Sequence, residues 1–438
     1  MRCLIGTIGL ALFLSGCGGG GSSSGDTPTT KPVVASHVTV SANVYSNAYP
    51  TLYAAVASSP VIDDTCLVEA DSIRYPAAYQ GAFPLPPVKG NFASANIGLG
   101  VGIKDNWGDG YITNPNINKH CATDNRTAFV ATLKRLKSLG SSHVYIAQYG
   151  CVRDAVNPTS FLGQISISET DLIWMGQQAQ AQGIKARLLM QVCSNDQKGK
   201  ILNNLTLDNQ WYSTFFDTYS AFMVDQARIA QTAGFDAISL DWGDWNPDWV
   251  PISSLRSTRL QQLSADIRSV FNGRQFLMST WSTSDAPPSL VNSVDMLVAF
   301  VATKLTHAQS SSLSVSQLLP GFANSINSRQ FLGSQKPIIW MLQMQSHKDF
   351  FVDGWVEDAG CWTTPCASPL TTDFSVQAIG IEAALEAINQ QTFFKTESVF
   401  INSYWLSDTI TPRDSFPNIS QSIRNKPAES IVYQWWKK

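Results

Sequence analysis

From about Pro87 to the C-terminus, short apolar runs alternate with longer stretches in which apolar residues recur every three or four positions. Short continuous runs suit strands buried on both faces, and the longer period suits amphipathic helices. The pattern predicts strands over 95–103, 143–149, 184–192, 235–241, 275–281, 294–301, 336–345 and 398–405. Between and after them it predicts helices over 125–139, 169–182, 209–233, 254–271, 314–327, 373–389 and 420–436, with Ser168 placed to cap the second of these. Eight strands alternating with these seven helices in about 350 residues predict the α/β class and one (β/α)8 TIM barrel, spanning 91–438. A barrel of this kind keeps its chemistry at the carboxyl ends of its strands.

The residues ahead of the barrel follow a different pattern. One positive residue, Arg2, precedes an apolar run from Leu4 to Leu14 and then Ser15-Gly16-Cys17. The run is too short to span a bilayer and has the layout of an export signal. These residues resemble a bacterial lipoprotein signal peptide. The resemblance implies removal of residues 1–16, acylation of Cys17 and an outer-membrane lipoprotein of the bacterial cell envelope, facing the periplasm or the surface. Residues 17–36 are rich in Gly, Ser, Thr and Pro and predict a flexible tether with nothing to bury. Residues 37–90 form no strand-helix unit and read as an N-terminal extension packed on the barrel.

Composition narrows the function. The formal net charge of −3 gives no nucleic-acid footprint, so the partners expected are a carbohydrate and, through the anchor, a membrane. A monomer is expected. Charged residues make up only 14% of the chain while aromatics reach 11%, with 13 Trp, so flat ring surface is available for a ligand. The alternating Gly98, Gly100 and Gly102 imitate a dinucleotide fingerprint, but they lead into Lys104-Asp105-Asn106-Trp107 rather than a helix start. Scattered histidines and the lack of Cys-x-x-Cys give no metal site, and no cofactor is called for. Six cysteines beyond Cys3 and Cys17 suit disulfides in an oxidising compartment. Cys361 with Cys366 and Cys151 with Cys193 are the pairings favoured, leaving Cys66 with Cys121.

The best clue to chemistry is Gly234-Phe-Asp-Ala-Ile-Ser-Leu-Asp-Trp-Gly-Asp-Trp245, an apolar strand running into carboxylates framed by tryptophans. It places Asp241 at the end of the fourth strand. The other strand ends bring Asp105, Trp107, Gln148, Tyr149, Gln191, Trp242, Trp245, Trp281, Gln343, His347, Asn402, Tyr404 and Trp405 toward the same rim. Hydrogen-bonding side chains mixed with rings match the hydroxyl edges and apolar faces of sugars.

The strand count, Lys336-Pro-Ile-Ile-Trp340 and the ending Lys426-Pro-Ala-Glu429 through Trp435-Trp436 resemble (β/α)8-barrel glycoside hydrolases, in layout those of family 113. The resemblance implies two catalytic glutamates, after the fourth and seventh strands. Gly243 stands near the first place and Leu342 or Gln343 near the second. The stretch ending in Asp241 also resembles the fourth-strand signature of retaining α-glycosidases, whose nucleophile is an aspartate at that position. Family 18 chitinases are a poorer match, because Gly243 replaces their essential acid.

Glycoside hydrolysis needs two carboxyl groups, roughly 5 to 5.5 Å apart for retention and about 6.5 to 9.5 Å for inversion. Asp241 is the candidate nucleophile or base. The candidate acids are Glu357, in the acidic stretch 349–358 that also holds Asp358, and Asp244. The alternative is a surface lipoprotein that binds carbohydrate on a barrel without turnover.

Overall fold

The computed structural model describes residues 85–104, 125–152, 161–162, 167–194, 208–241, 254–278, 288–310, 313–329, 336–354, 371–405, 419–424 and 426–437. Residues 1–36, where a signal and a tether are expected, and residues 37–84 lie outside them. The strands are β1 (Gly98–Lys104), β2 (His143–Val152), β3 (Phe161–Leu162), β4 (Lys185–Ser194), β5 (Ala237–Ser239), β6 (Arg274–Leu277), β7 (Met296–Phe300), β8 (Ile338–Leu342) and β9 (Thr396–Trp405). All pair in parallel except β3, a two-residue strand antiparallel to β2. Pairing of β1 with both β2 and β9 closes an eight-stranded barrel. The helices are α1 (Asn125–Leu139), α2 (Glu169–Ala181), α3 (Asn209–Ala233), α4 (Ser254–Arg268), α5 (Pro288–Ser293), α6 (His307–Ser310), α7 (Val315–Asn327), α8 (Phe350–Asp353), α9 (Phe374–Gln390) and α10 (Pro427–Trp436). This is the (β/α)8 TIM barrel expected.

Most boundaries fall where the periodicity placed them, for identifiable local reasons. Ser168 caps α2, its hydroxyl accepting the Asp171 amide at 3.2 Å. The 25-residue α3 stops at Gly234, which adopts φ +73° and lets the chain turn directly into Phe235 and β5. That left-handed conformation is open to glycine without steric cost. The last helix is shorter than its apolar pattern suggested, starting at Pro427 rather than at residue 420. Lys426 is extended at φ −117°, ψ 159°, because a residue before proline is pushed out of the helical region.

Two apolar layers result. Outside the strands, side chains such as Leu99, Val144, Leu188, Ile238, Trp340 and Ile401 pack beneath the helices. Inside, Tyr145, Leu189, Phe276, Met278, Val298, Met341 and Phe400 fill the barrel. Tyr145 stacks on Phe400 with ring centroids 4.0 Å apart. Gly100 makes room for this pair, since a Cβ there would lie 2.4 Å from the Tyr145 ring. The glycine alternation of β1 is therefore a packing device on the inner wall of the barrel.

The amino ends of the strands carry an ionic floor. Arg187, fully buried, reaches Asp236 at 3.3 Å, Glu397 at 3.0 Å and the Tyr145 hydroxyl at 2.8 Å. Arg274 binds the same two carboxylates at 2.7 Å each. Conserving charge balance there keeps a buried guanidinium from standing alone.

Candidate functional site

The site is built by continuing the inner-face alternation of the strands past the apolar filling. On β5, Ala237 and Ser239 precede Asp241 on the inner side, while Ile238 and Leu240 belong to the outer layer. On β4, Gln191 follows Leu189. On β8, Gln343 follows Ile339 and Met341, and on β9, Asn402 follows Phe400. Gln191, Asp241, Gln343 and Asn402 are all buried. The described part of the carboxyl end is thus a carboxylate and several amides above a floor of methionine and aromatic rings.

Asp241 is fully buried, and among the described residues three elements converge on this strand end. Its Oδ1 accepts the Met278 amide at 2.6 Å, which ties the end of β5 to the end of β6. Its Oδ2 lies 3.9 Å from Nη2 of Arg256 in α4. Tyr219 of α3 donates its hydroxyl to the Leu240 carbonyl at 3.2 Å and steadies the same strand end. Burial pushes that phenol well above its ordinary range; the Asp241 charge adds to the shift and Arg256 opposes it. Such a phenol stays neutral. Neither Arg256 nor Tyr219 was legible as a site residue, because each sits within a helix and only the fold turns it toward the strand end.

The remaining predicted residues divide into three groups. Gln343 donates to Gln421 at 2.7 Å, so the segment 419–424 is tied to the end of β8. Gln345 is buried beside it. His347, nearly buried, shares a hydrogen bond of 3.2 Å with the Gly354 carbonyl. Burial lowers its pKa against the opposing pull of Gly354, Asp353 and Asp349, which keeps the imidazole neutral.

Two residues face away from the cleft expected for them. Gln148 sits between Val144 and Ile146 of the outer layer and α3, donating to Gln226 at 2.8 Å and to the Ile167 carbonyl at 3.1 Å. Its parity on β2 is opposite to that of Tyr145. Tyr404 is also fully buried in the outer layer and donates to Glu429 at 2.5 Å. A bulge turns it there: Val101 pairs with Ile401 but Ile103 with Tyr404, so β9 spends one extra residue against β1. A strict two-residue alternation would have put Tyr404 on the face of Phe400.

The backbones of Tyr149, Cys151 and Cys193 lie in β2 and β4, and that of Trp405 ends β9. Cys151 and Cys193 are register partners across the β2–β4 ladder. Their side chains lie outside the described part of the molecule, as do Asp105, Trp107, Trp242, Asp244, Trp245, Trp281 and Glu357 entirely. Cys17, Cys66, Cys121, Cys361 and Cys366 lie outside it too. Among the described residues, no group of three or more His, Cys, Asp or Glu side chains could hold a metal ion.

No protein-family model matches the sequence, and no curated protein does. Solved structures do match the fold. A GH113 β-1,4-mannanase superposes with a TM-score of 0.55 at 13% identity, covering 78% of this chain and 98% of that one. The GH113 β-mannanase AaManA from Alicyclobacillus acidocaldarius, in complex with ManMIm, superposes with a TM-score of 0.51 at 16% identity, covering 77% and 96%. A further GH113 β-1,4-mannanase complex gives 0.52 at 12% identity, covering 78% and 98%. At these identities the likeness is one of fold: this chain shares the barrel on which those glycoside hydrolases are built.

Proposed function

We propose that this protein is a lipid-anchored glycoside hydrolase of the bacterial envelope, cutting an oligosaccharide or polysaccharide at the carboxyl end of its barrel. The observation that carries the reading is Asp241, an inward carboxylate at the end of the fourth barrel strand, on a rim to which other strand ends bring the side-chain amides of Gln191, Gln343 and Asn402, suited to sugar hydroxyls. Its role is nucleophile or base. The amide of Met278 and the charge of Arg256 favour the ionised form that either role needs. The companion acid is assigned to Glu357, Asp358 or Asp244, where burial would raise the pKa enough to retain a proton. Trp107, Trp242, Trp245 and Trp281 are assigned to stacking against sugar faces. Cys17 is assigned as the acylated residue that anchors the chain.

The deciding experiment is sugar release from a panel of polysaccharides. The wild-type protein is expected to release reducing ends from at least one of them, and Asp241→Asn to lose that activity while remaining folded. A second reading has its own support. Gly243 and Leu342 or Gln343 stand near the two places after the fourth and seventh barrel strands where the family 113 layout implies glutamates. That favours a glycan-binding barrel without turnover. Retention on an immobilised glycan by both wild type and Asp241→Asn, with no sugar released by either, is its signature.

A further inference from the structure

We infer that Arg256 is a positioning residue for Asp241, keeping its carboxylate charged and aimed within the dry end of the barrel. The consequence for turnover rests on the hydrolase reading above; the pairing itself does not. Asp241 is 0% exposed and Arg256 1% exposed, so both charges have left water. A carboxylate moved into a low-dielectric interior takes up a proton unless a cation or strong donors hold the anion. Among the described residues, Arg256 is the cation brought within ion-pair distance of Asp241, at 3.9 Å.

Among the described residues, groups face this carboxylate from three elements. Tyr219 approaches from α3, and its phenol is neutral, so it offers dipole but no charge. Tyr212, on the same helix, is raised by burial and lowered by Arg256, which puts it in the field of the same guanidinium. The Met278 amide arrives from the end of β6 and donates to Oδ1. Arg256 arrives from α4 and faces Oδ2.

The distance has chemical meaning. At 3.9 Å, Nη2 is beyond hydrogen-bonding reach of Oδ2 but well within Coulomb range. Arg256 therefore brings its charge to the Oδ2 side of the carboxylate through Nη2. The Met278 amide fixes the opposite oxygen and with it the plane of the carboxylate. The amide orients the carboxylate and the guanidinium favours its anionic form, and an oriented anion is what a nucleophile or base requires.

The test uses the full-length protein with Arg256→Gln, Arg256→Lys and the double variant Asp241→Asn with Arg256→Gln. On a hydrolysed glycan, Arg256→Gln should move the acid limb of the pH–rate profile up by about one unit or more and lower kcat roughly tenfold, with KM little changed. Arg256→Lys should restore part of both. Thermal melts across pH 5 to 8 give a readout that needs no turnover. In Arg256→Gln an Asp241 of raised pKa binds a proton in the folded state, so stability should fall as pH rises relative to wild type. The double variant should lose that slope.

An Arg256→Gln pH–rate profile that superimposes on wild type overturns the inference. So do equal pH slopes in the single and double variants. If Arg256→Gln does not fold, recovery of folding in the double variant supports the pairing and continued failure overturns it. Absence of hydrolysis by the wild-type protein sinks the proposed function alone, and the melts still decide the pairing.

Discussion

Arg187 and Glu397, 210 residues apart in the chain, meet at 3.0 Å on the floor of the barrel, at the end opposite the candidate site. Arg187 has no contact with water, and Glu397 and Asp236 divide its charge between them. Burial raises Glu397, but its bond to Arg274 and the charges of Arg274 and Arg187 outweigh burial and leave it below the usual carboxylate range. Asp236 is lowered against burial in the same way, by its Arg274 bond and by Arg187, Arg274 and Lys185. A depressed folded-state pKa adds stability that is present above the unfolded value of about 4 and is lost as pH falls through the folded value.

Glu397→Gln should therefore destabilise the protein by about 2 kcal/mol at neutral pH, less than a fully broken buried pair because Asp236 still holds Arg187. It should also weaken the acid sensitivity of the fold below about pH 4. Urea unfolding at pH 7 and pH 3.5 measures both effects. A variant as stable as wild type at pH 7 would show that the floor is electrostatically neutral to folding.

The opposite sign is expected at Glu382. Burial pushes this carboxyl up to about 7, against the opposing bond from Trp435. It accepts the Trp435 indole at 2.7 Å and the Lys89 amide at 3.2 Å, where the chain enters the barrel. The folded state then holds a proton that the unfolded chain releases near pH 4.3, so this group's contribution is present below about pH 4 and fades as pH rises toward 7. Glu382→Gln should flatten the stability profile between pH 4.5 and 7. An unchanged slope in denaturant titrations would remove Glu382 from the account.

Gly100→Ala tests the inner wall. The added carbon would meet the Tyr145 ring at 2.4 Å, and that ring is stacked on Phe400. Overpacking of this kind costs about 1 to 3 kcal/mol, read as a lower midpoint in thermal melts. Gly354→Ala is the comparison, because a carbon there meets nothing within 4 Å and the cost is only that of its φ of +84°.

Cys151 and Cys193 should be joined by a disulfide when the protein is made in an oxidising compartment. As partners in a parallel ladder their Cα atoms are separated by about one strand spacing, ~4.8 Å, within the range that a disulfide spans. Peptide mapping without reduction should recover a linked pair containing both residues. Recovery of both as free thiols, or of either linked to Cys66, Cys121, Cys361 or Cys366, would refute the pairing.

The parts of the candidate site that were legible are those reached by simple alternation. Gln191, Gln343 and Asn402 continue inner-face positions whose predecessors Leu189, Met341 and Phe400 are apolar, and Asp241 continues the face of Ala237 and Ser239, so counting by two finds them. Tyr404 escapes that count because of the bulge opposite β1, which depends on a strand some 300 residues away in sequence and has no local signature. Gln148 was misplaced by one step of parity. Arg256 and Tyr219 were missed because the helix pattern marks them only as members of a helix.

What the sequence determined by itself is the eight-fold alternation, and with it the barrel. Each apolar run must bury both faces and each helix one stripe, and a closed parallel sheet inside a ring of helices satisfies both at once. What only the tertiary structure decided is which charges meet. Arg187 with Glu397, Arg256 with Asp241 and Arg135 with Glu429 are brought together by barrel closure and helix packing. Buried charges depend on separations of a few ångströms, and no spacing along the chain encodes those.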